Sequence, residues 1–261
     1  MKALTSIAFA AAMLSSAVPA SAATAAAPKP TVVLVHGAFA DSSSWDGVAA
    51  RLQSDGYAVV AAANPLRSVK GDAEAVSSVV KGIQGPVVLV GHSYGGAVIS
   101  TAAQGNANVK GLVYVAAFAP EAGENALELS GRYPGSTLGG ALAAPVTLAD
   151  GGKDLYIDQA KFPQQFAADV PKAKAKLMAV GQRPIAEAAL KEASGAPAWK
   201  NVPSYFVYGT ADKNIPPAAL KFMAERAQSR KTVEVAGASH VVMTSHPVEV
   251  AKLIEQAAAA Q

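Results

Sequence analysis

The 261-residue chain contains no cysteine. That absence excludes a disulfide framework, a thiolate metal site and a lipid-modified cysteine at a processed N-terminus. Charge is also scarce, at 16% of residues with a net of +3. The basic residues are scattered, and the nearest approach to a run, Lys172, Lys174 and Lys176, alternates with alanine and reads as the solvated face of a helix. Nucleic acid is therefore not an expected partner. What the chain does have is apolar content, 51% of residues, which suits one well-packed globular domain.

The one extended apolar run near the N-terminus, Ala3 to Val18, follows Lys2 and precedes Ala20-Ser21-Ala22. A positive start, an apolar middle and a small-residue cleavage site are the features of a secretory signal. The run is short for a membrane span. Residues 1–22 are thus expected to be removed on export to the periplasm or medium, leaving no stable membrane insertion, with 23–30 as a Pro/Ala linker.

Beyond the linker, β-branched apolar runs alternate with amphipathic stretches. Strands are expected at Thr31–Val35, Tyr57–Ala62, Val87–Val90, Val109–Ala116, Ser204–Tyr208 and Thr232–Val235. Helices are expected at Ser44–Ser54, Asp72–Ile83, Gly95–Gln104, Pro217–Gln228 and Pro247–Ala260. This alternation predicts an α/β fold, a mainly parallel sheet of about six strands with helices on both faces. The core comprises residues 31–117 and 202–261, and residues 118–201 break the rhythm. A structureless loop of that length is improbable in a compact domain, so an inserted, largely helical cap is expected there, with helical stretches at Lys172–Val180 and Pro184–Ala193.

Within "VVLVGHSYGGAV", Gly91 and Gly95 flank Ser93 as G-x-S-x-G, the sharp strand-to-helix turn that exposes a serine hydroxyl. A serine nucleophile needs a base, and the base needs an orienting acid. His240, after the strand in "VEVAGASH", is the expected base, with His246 the alternative and His36 and His92 read as structural. Asp212, in "YGTADKNIPP", is the expected acid, with Glu121 and Glu124 the runners-up. Asp150, Asp154, Asp158 and Asp169 lie in the cap and read as solvated. An oxyanion would be held by the N–H of Tyr94 and by one from the loop after the first strand, Ala38 or alternatively Phe39. Candidate substrate contacts are Phe39, Trp45, Phe162, Phe166, Leu177 and Met178, and Ser42–Ser44 reads as a helix cap. The chemistry calls for no metal and no organic cofactor.

"VVLVHGAF", "GHSYGGAV", "YGTADKNIPP" and "GASHVVMTSHP" together resemble the α/β-hydrolase superfamily, in particular its small esterase and hydroxynitrile-lyase branch, to which plant methylesterases belong. The resemblance implies a serine carboxylesterase with a helical cap and a triad of Ser93, Asp212 and His240. Too few residues precede Thr31 for the two leading strands of larger members. The cap carries no recognisable motif, so the resemblance does not extend to a particular ester, lactone, thioester or amide. In the lyases, threonine follows the first strand and lysine follows the catalytic histidine, where this chain has Gly37 and Val241. The expectation is hydrolysis of a small ester-like molecule. A cofactor-free lyase and a binding receptor on the same scaffold are the alternatives, and the oligomeric state is left open.

Overall fold

The computed structural model describes residues 28–260; the expected signal segment and most of the linker lie outside them. Strands and helices alternate as β1 (Thr31–Val35), α1 (Asp46–Ser54), β2 (Val59–Ala62), α2 (Val69–Lys81), β3 (Val87–His92), α3 (Gly95–Ala102) and β4 (Val109–Val115). Next come α4 (Ala126–Gly131), α5 (Leu138–Ala141), β5 (Val146–Thr147), β6 (Lys153–Leu155), α6 (Phe162–Phe166), α7 (Lys172–Gly181), β7 (Ile185–Ala186) and α8 (Glu187–Lys191). The chain then returns to the core with β8 (Ser204–Gly209), α9 (Pro217–Arg226), β9 (Lys231–Val235), α10 (Val242–Ser245) and α11 (Pro247–Ala259).

The six strands outside the insertion form one parallel sheet in the order β2-β1-β3-β4-β8-β9. Strands β1 and β3 carry continuous runs of valine and leucine because both faces are covered, and β3 is buried at every position. Helix α1 packs with α11, and α2 with α3. Strand order reverses beside β1, so right-handed crossovers place these two pairs on opposite faces. Such a reversal opens a crevice at the carboxyl ends of the strands.

Local chemistry sets the helix starts. Ser68 accepts the Gly71 N–H at the head of α2, and Asn125 does the same for Glu128 at α4. The serines after β1 do not cap α1. They form a 3-10 turn at Ser42–Trp45, and Asp41 is the cap, accepting the Ser43 N–H at 2.8 Å.

The insertion is less helical than expected. It includes a small antiparallel sheet, β5-β6-β7, and the expected helix over 184–193 is instead a short strand followed by α8. Two-residue strands rich in alanine carry too little period-two pattern to be legible. No helix among the described residues is long and apolar enough to cross a membrane.

Candidate active site

The carboxyl ends of β3, β8 and β9 lead directly into Ser93, Asp212 and His240. Ser93 takes a left-handed backbone, φ 53°, which is unfavourable for a side chain with a Cβ. Neighbouring glycines make it possible. A Cβ on Gly91 would stand 2.6 Å from the Gly95 carbonyl oxygen, and one on Gly95 would stand 2.6 Å from that of Val35. The turn is pinned further as Ser93 N–H donates to Val115 and the Ser93 carbonyl accepts from Gly96 and Phe118.

His240 and Asp212 are joined: Nδ1 lies 2.7 Å from Asp212 Oδ2, with both side chains buried. The other oxygen, Oδ1, accepts the N–H groups of Asn214 at 2.8 Å and Ile215 at 3.0 Å. That loop geometry makes Asp212 an acceptor on both sides, which selects the tautomer with hydrogen on His240 Nδ1 and leaves Nε2 as an acceptor. Ser93 and His240 meet as walls of one cavity, shared with Ala38, Phe39, Tyr94 and Phe166.

The runners-up are engaged elsewhere. Glu121 pairs with Lys200 at 2.7 Å, and Glu124 receives both guanidinium nitrogens of Arg226 at 2.8 and 2.9 Å. His246 lies 3.5 Å from Asp169 Oδ2. Two cap aspartates expected to be solvated are not. Asp154 is buried against Arg67 at 2.6 Å, and Asp169 accepts a hydrogen bond from Ser239, the residue before His240.

The two histidines read as structural have neutral, defined roles. His36 Nε2 accepts the Asn64 N–H, which leaves Nδ1 to donate to the Gly37 carbonyl at 3.0 Å. His92 Nε2 donates to the His240 carbonyl at 3.2 Å, while its Nδ1 is buried without a partner. Burial pushes both pKa values down, and His92 falls well below the usual range because His240 adds to that effect.

The N–H of Phe39 donates to the Arg183 carbonyl at 3.0 Å, so it is not free to meet a ligand. Ala38 and Tyr94, also on the cavity wall, are the remaining candidates. The Tyr94 side chain anchors this backbone, its hydroxyl donating to buried Asp72 at 2.9 Å. Burial and the Asp72 charge together hold that phenol protonated far above its usual range.

The expected substrate contacts divide. Phe39 and Phe166 line the cavity. Trp45 does not; it is fully buried behind the site, edge-on to His92, whose ring lies 4.7 Å from that of His240. Phe162 is likewise buried, packed on Phe166 at 4.9 Å. Leu177 and Met178 line a different groove, since α7 runs outside the cavity and leaves Leu177 exposed. Sequence reasoning missed much of the apolar lining: Phe118, Leu127, Leu138, Leu190 and Ile215. These come from five separate segments of the chain, and no local pattern marks them. Among the described residues no cluster of three His, Asp or Glu side chains is placed to hold a metal ion.

Comparisons with known proteins agree with this architecture. The chain is 25% identical over 253 residues to the alpha/beta hydrolase nvfD of Aspergillus novofumigatus (strain IBT 16806), covering 88% of this chain and 97% of that one. Its fold is similar to that of polyneuridine aldehyde esterase, with a TM-score of 0.77 at 20% identity over 88% of this chain and 99% of the other. It is also similar to a pyrethroid hydrolase from Sphingobium faniae JZ-2, with a TM-score of 0.70 at 22% identity over 88% and 98% of the two chains. The alpha/beta hydrolase family model matches residues 32–253, and the chain belongs to that family.

Proposed function

We propose that the protein is a serine hydrolase that cleaves a carboxylic ester, or a related lactone or thioester, through an acyl-Ser93 intermediate. One observation carries the reading: the cavity that holds Ser93 at its strained turn also holds His240, whose far nitrogen is bonded to Asp212. In the acylation step Ser93 Oγ attacks the ester carbonyl carbon while His240 Nε2 takes the hydroxyl proton. Collapse of the tetrahedral intermediate breaks the carbon–oxygen bond, and the imidazolium returns the proton to the leaving alcohol. Water then attacks the acyl-serine with His240 again as base, releasing the acid. Asp212 orients the imidazole and stabilises its charged form, and the Ala38 and Tyr94 N–H groups stabilise the oxyanion.

The esterase and hydrolase names of structurally similar proteins support this reading. Two positions speak against a lyase. Val241, next to the base, is buried and neutral, so it offers no charge to a departing cyanide. Gly37 stands too close to Ser93 for the threonine that the lyases carry there: a Cβ would stand 2.6 Å from Ser93 Cβ. We also propose export, on the pattern of residues 1–22; loss of those residues from protein recovered outside the cytoplasm, read by intact mass, checks it. The function is tested by assaying the purified protein and Ser93→Ala on p-nitrophenyl esters. Turnover by the parent and its loss in the variant is the expected result, and cyanide release from mandelonitrile with no ester turnover would overturn it.

A further inference from the structure

The space beside Ser93 is small, about 50 Å³, and a wider groove of about 280 Å³ lies close by. Among the described residues Phe39 alone lines both. We propose that Phe39 is the specificity-determining wall of the site. It confines the group bound beside Ser93 to a compact, uncharged, apolar one and closes that space off from the groove. The inference rests on the reading of Ser93 as the nucleophile and names the substrate class that this reading leaves open.

Phe39 is held firmly in place. Its backbone is left-handed, φ 61°, and its N–H is tied to the Arg183 carbonyl just beyond α7, the helix that supplies Leu177 and Met178 to the groove. Its ring stands edge-on to Phe166 at 6.2 Å and is almost fully buried. A strained residue tied to the cap is not a wall that swings aside with a loose loop.

The chemistry of the two spaces differs. No Asp, Glu, Lys or Arg lines the cavity. Its polar side chains beyond Ser93 and His240 are largely committed: the Asn214 amide exchanges hydrogen bonds with Gln165, Ser130 Oγ donates to Leu127, and the Tyr94 hydroxyl donates to Asp72. With the ester carbonyl at the Ala38 and Tyr94 N–H groups, a carboxylate or ammonium elsewhere on the bound acyl group would be buried without a charged partner, which is strongly unfavourable. The groove combines apolar Leu177 and Met178 with charged Asp41 and Lys174, so it can accept a longer chain once the wall is removed.

The test is kcat/KM across p-nitrophenyl acetate, butyrate, hemisuccinate and octanoate for the parent and Phe39 variants. The parent should favour the short apolar esters and turn over hemisuccinate more than about tenfold less well than butyrate. In Phe39→Ala the octanoate-to-acetate ratio should rise about 10–200-fold, the range for methylene-scale fit. Adding Leu177→Trp, an exposed position that narrows the groove, should take back most of that rise. Phe39→Leu should give an intermediate rise and covers the case in which the alanine variant does not fold. An unchanged ratio in a cooperatively folded variant, or hemisuccinate turned over as well as butyrate, overturns the wall. Serine labelling separates the two readings: a fluorophosphonate on Ser93 with an unchanged ratio overturns the wall alone, whereas no label and no ester turnover overturns both.

Discussion

His240 Nδ1 lies 2.7 Å from Asp212 Oδ2, and the opposite oxygen of the same carboxylate is held by the N–H groups of Asn214 and Ile215. Asp212 therefore accepts from both sides and has no donor to give. Asp212→Asn introduces one. If its NH₂ faces His240, hydrogen moves to Nε2 and the base is lost; if it faces the loop, it meets two N–H donors. The expected loss in kcat is on the order of 10⁴ with KM little changed. Glu121→Gln and Glu124→Gln, whose carboxylates are paired elsewhere, should not produce it.

Gly37 supplies a second expected outcome. A Cβ at this position would stand 2.6 Å from Ser93 Cβ and 2.7 Å from the His92 carbonyl oxygen. Neither neighbour is the end of a flexible side chain, so Gly37→Ala should destabilise by about 1–3 kcal/mol. Activity should fall more steeply than stability because the displaced atom belongs to Ser93. Urea unfolding alongside kcat/KM separates the two effects, and a variant with normal activity would contradict the packing argument.

The buried histidines set a stability window near neutrality. His36 and His92 have pKa values lowered by burial, so the unfolded chain binds these protons more readily than the folded one. Their contribution is complete above about pH 6.5, the unfolded value, and is lost as pH falls below it toward their folded values. A proton on His92 Nδ1 would find no acceptor. The thermal midpoint should fall between pH 7.5 and 5.5, and in His92→Gln that slope should flatten.

A second loss should appear in stronger acid. Burial raises the Glu124 pKa, but hydrogen bonds from Arg226 and from Glu121 N–H, with the charges of Arg226 and Arg132, outweigh it and hold the group at about 2. Because the folded value lies below the ordinary 4.5, the stabilisation is present above pH 4.5 and disappears as pH falls toward 2. Its size is about 2 kcal/mol once partial exposure is allowed for. Glu124→Gln should lose that amount at pH 7 and show a flatter profile from pH 5 to 3 in urea titrations.

The core was readable in sequence because its signals are local. Val87 to Val90 is continuously apolar, since both faces of a parallel strand are buried, and the glycines at 91 and 95 are demanded by backbone contacts within the same turn. Asp212 and His240 could be picked out because each follows a strand by a few residues. The apolar lining was not legible in the same way. Leu127, Leu138 and Leu190 reach the cavity from segments whose short helices and two-residue strands carry little periodicity. Leu177 and Met178 sit on a helix with the right composition, yet its placement depends on tertiary contacts such as Gln182 bonding Ile157 on both sides of its amide. Trp45 and Phe162 were apolar and aromatic as a pocket wall would be, but packing placed them one layer behind it.

The central claim is that Ser93 is the nucleophile, and covalent trapping tests it most directly. The native protein is treated with a fluorophosphonate, its mass measured intact, and the labelled peptide sequenced. The account predicts one adduct per chain on Ser93, blocked by prior incubation with a slowly hydrolysed ester and absent from Ser93→Ala. Equal labelling of the Ser93→Ala variant, or an adduct on another serine of the parent, would contradict it.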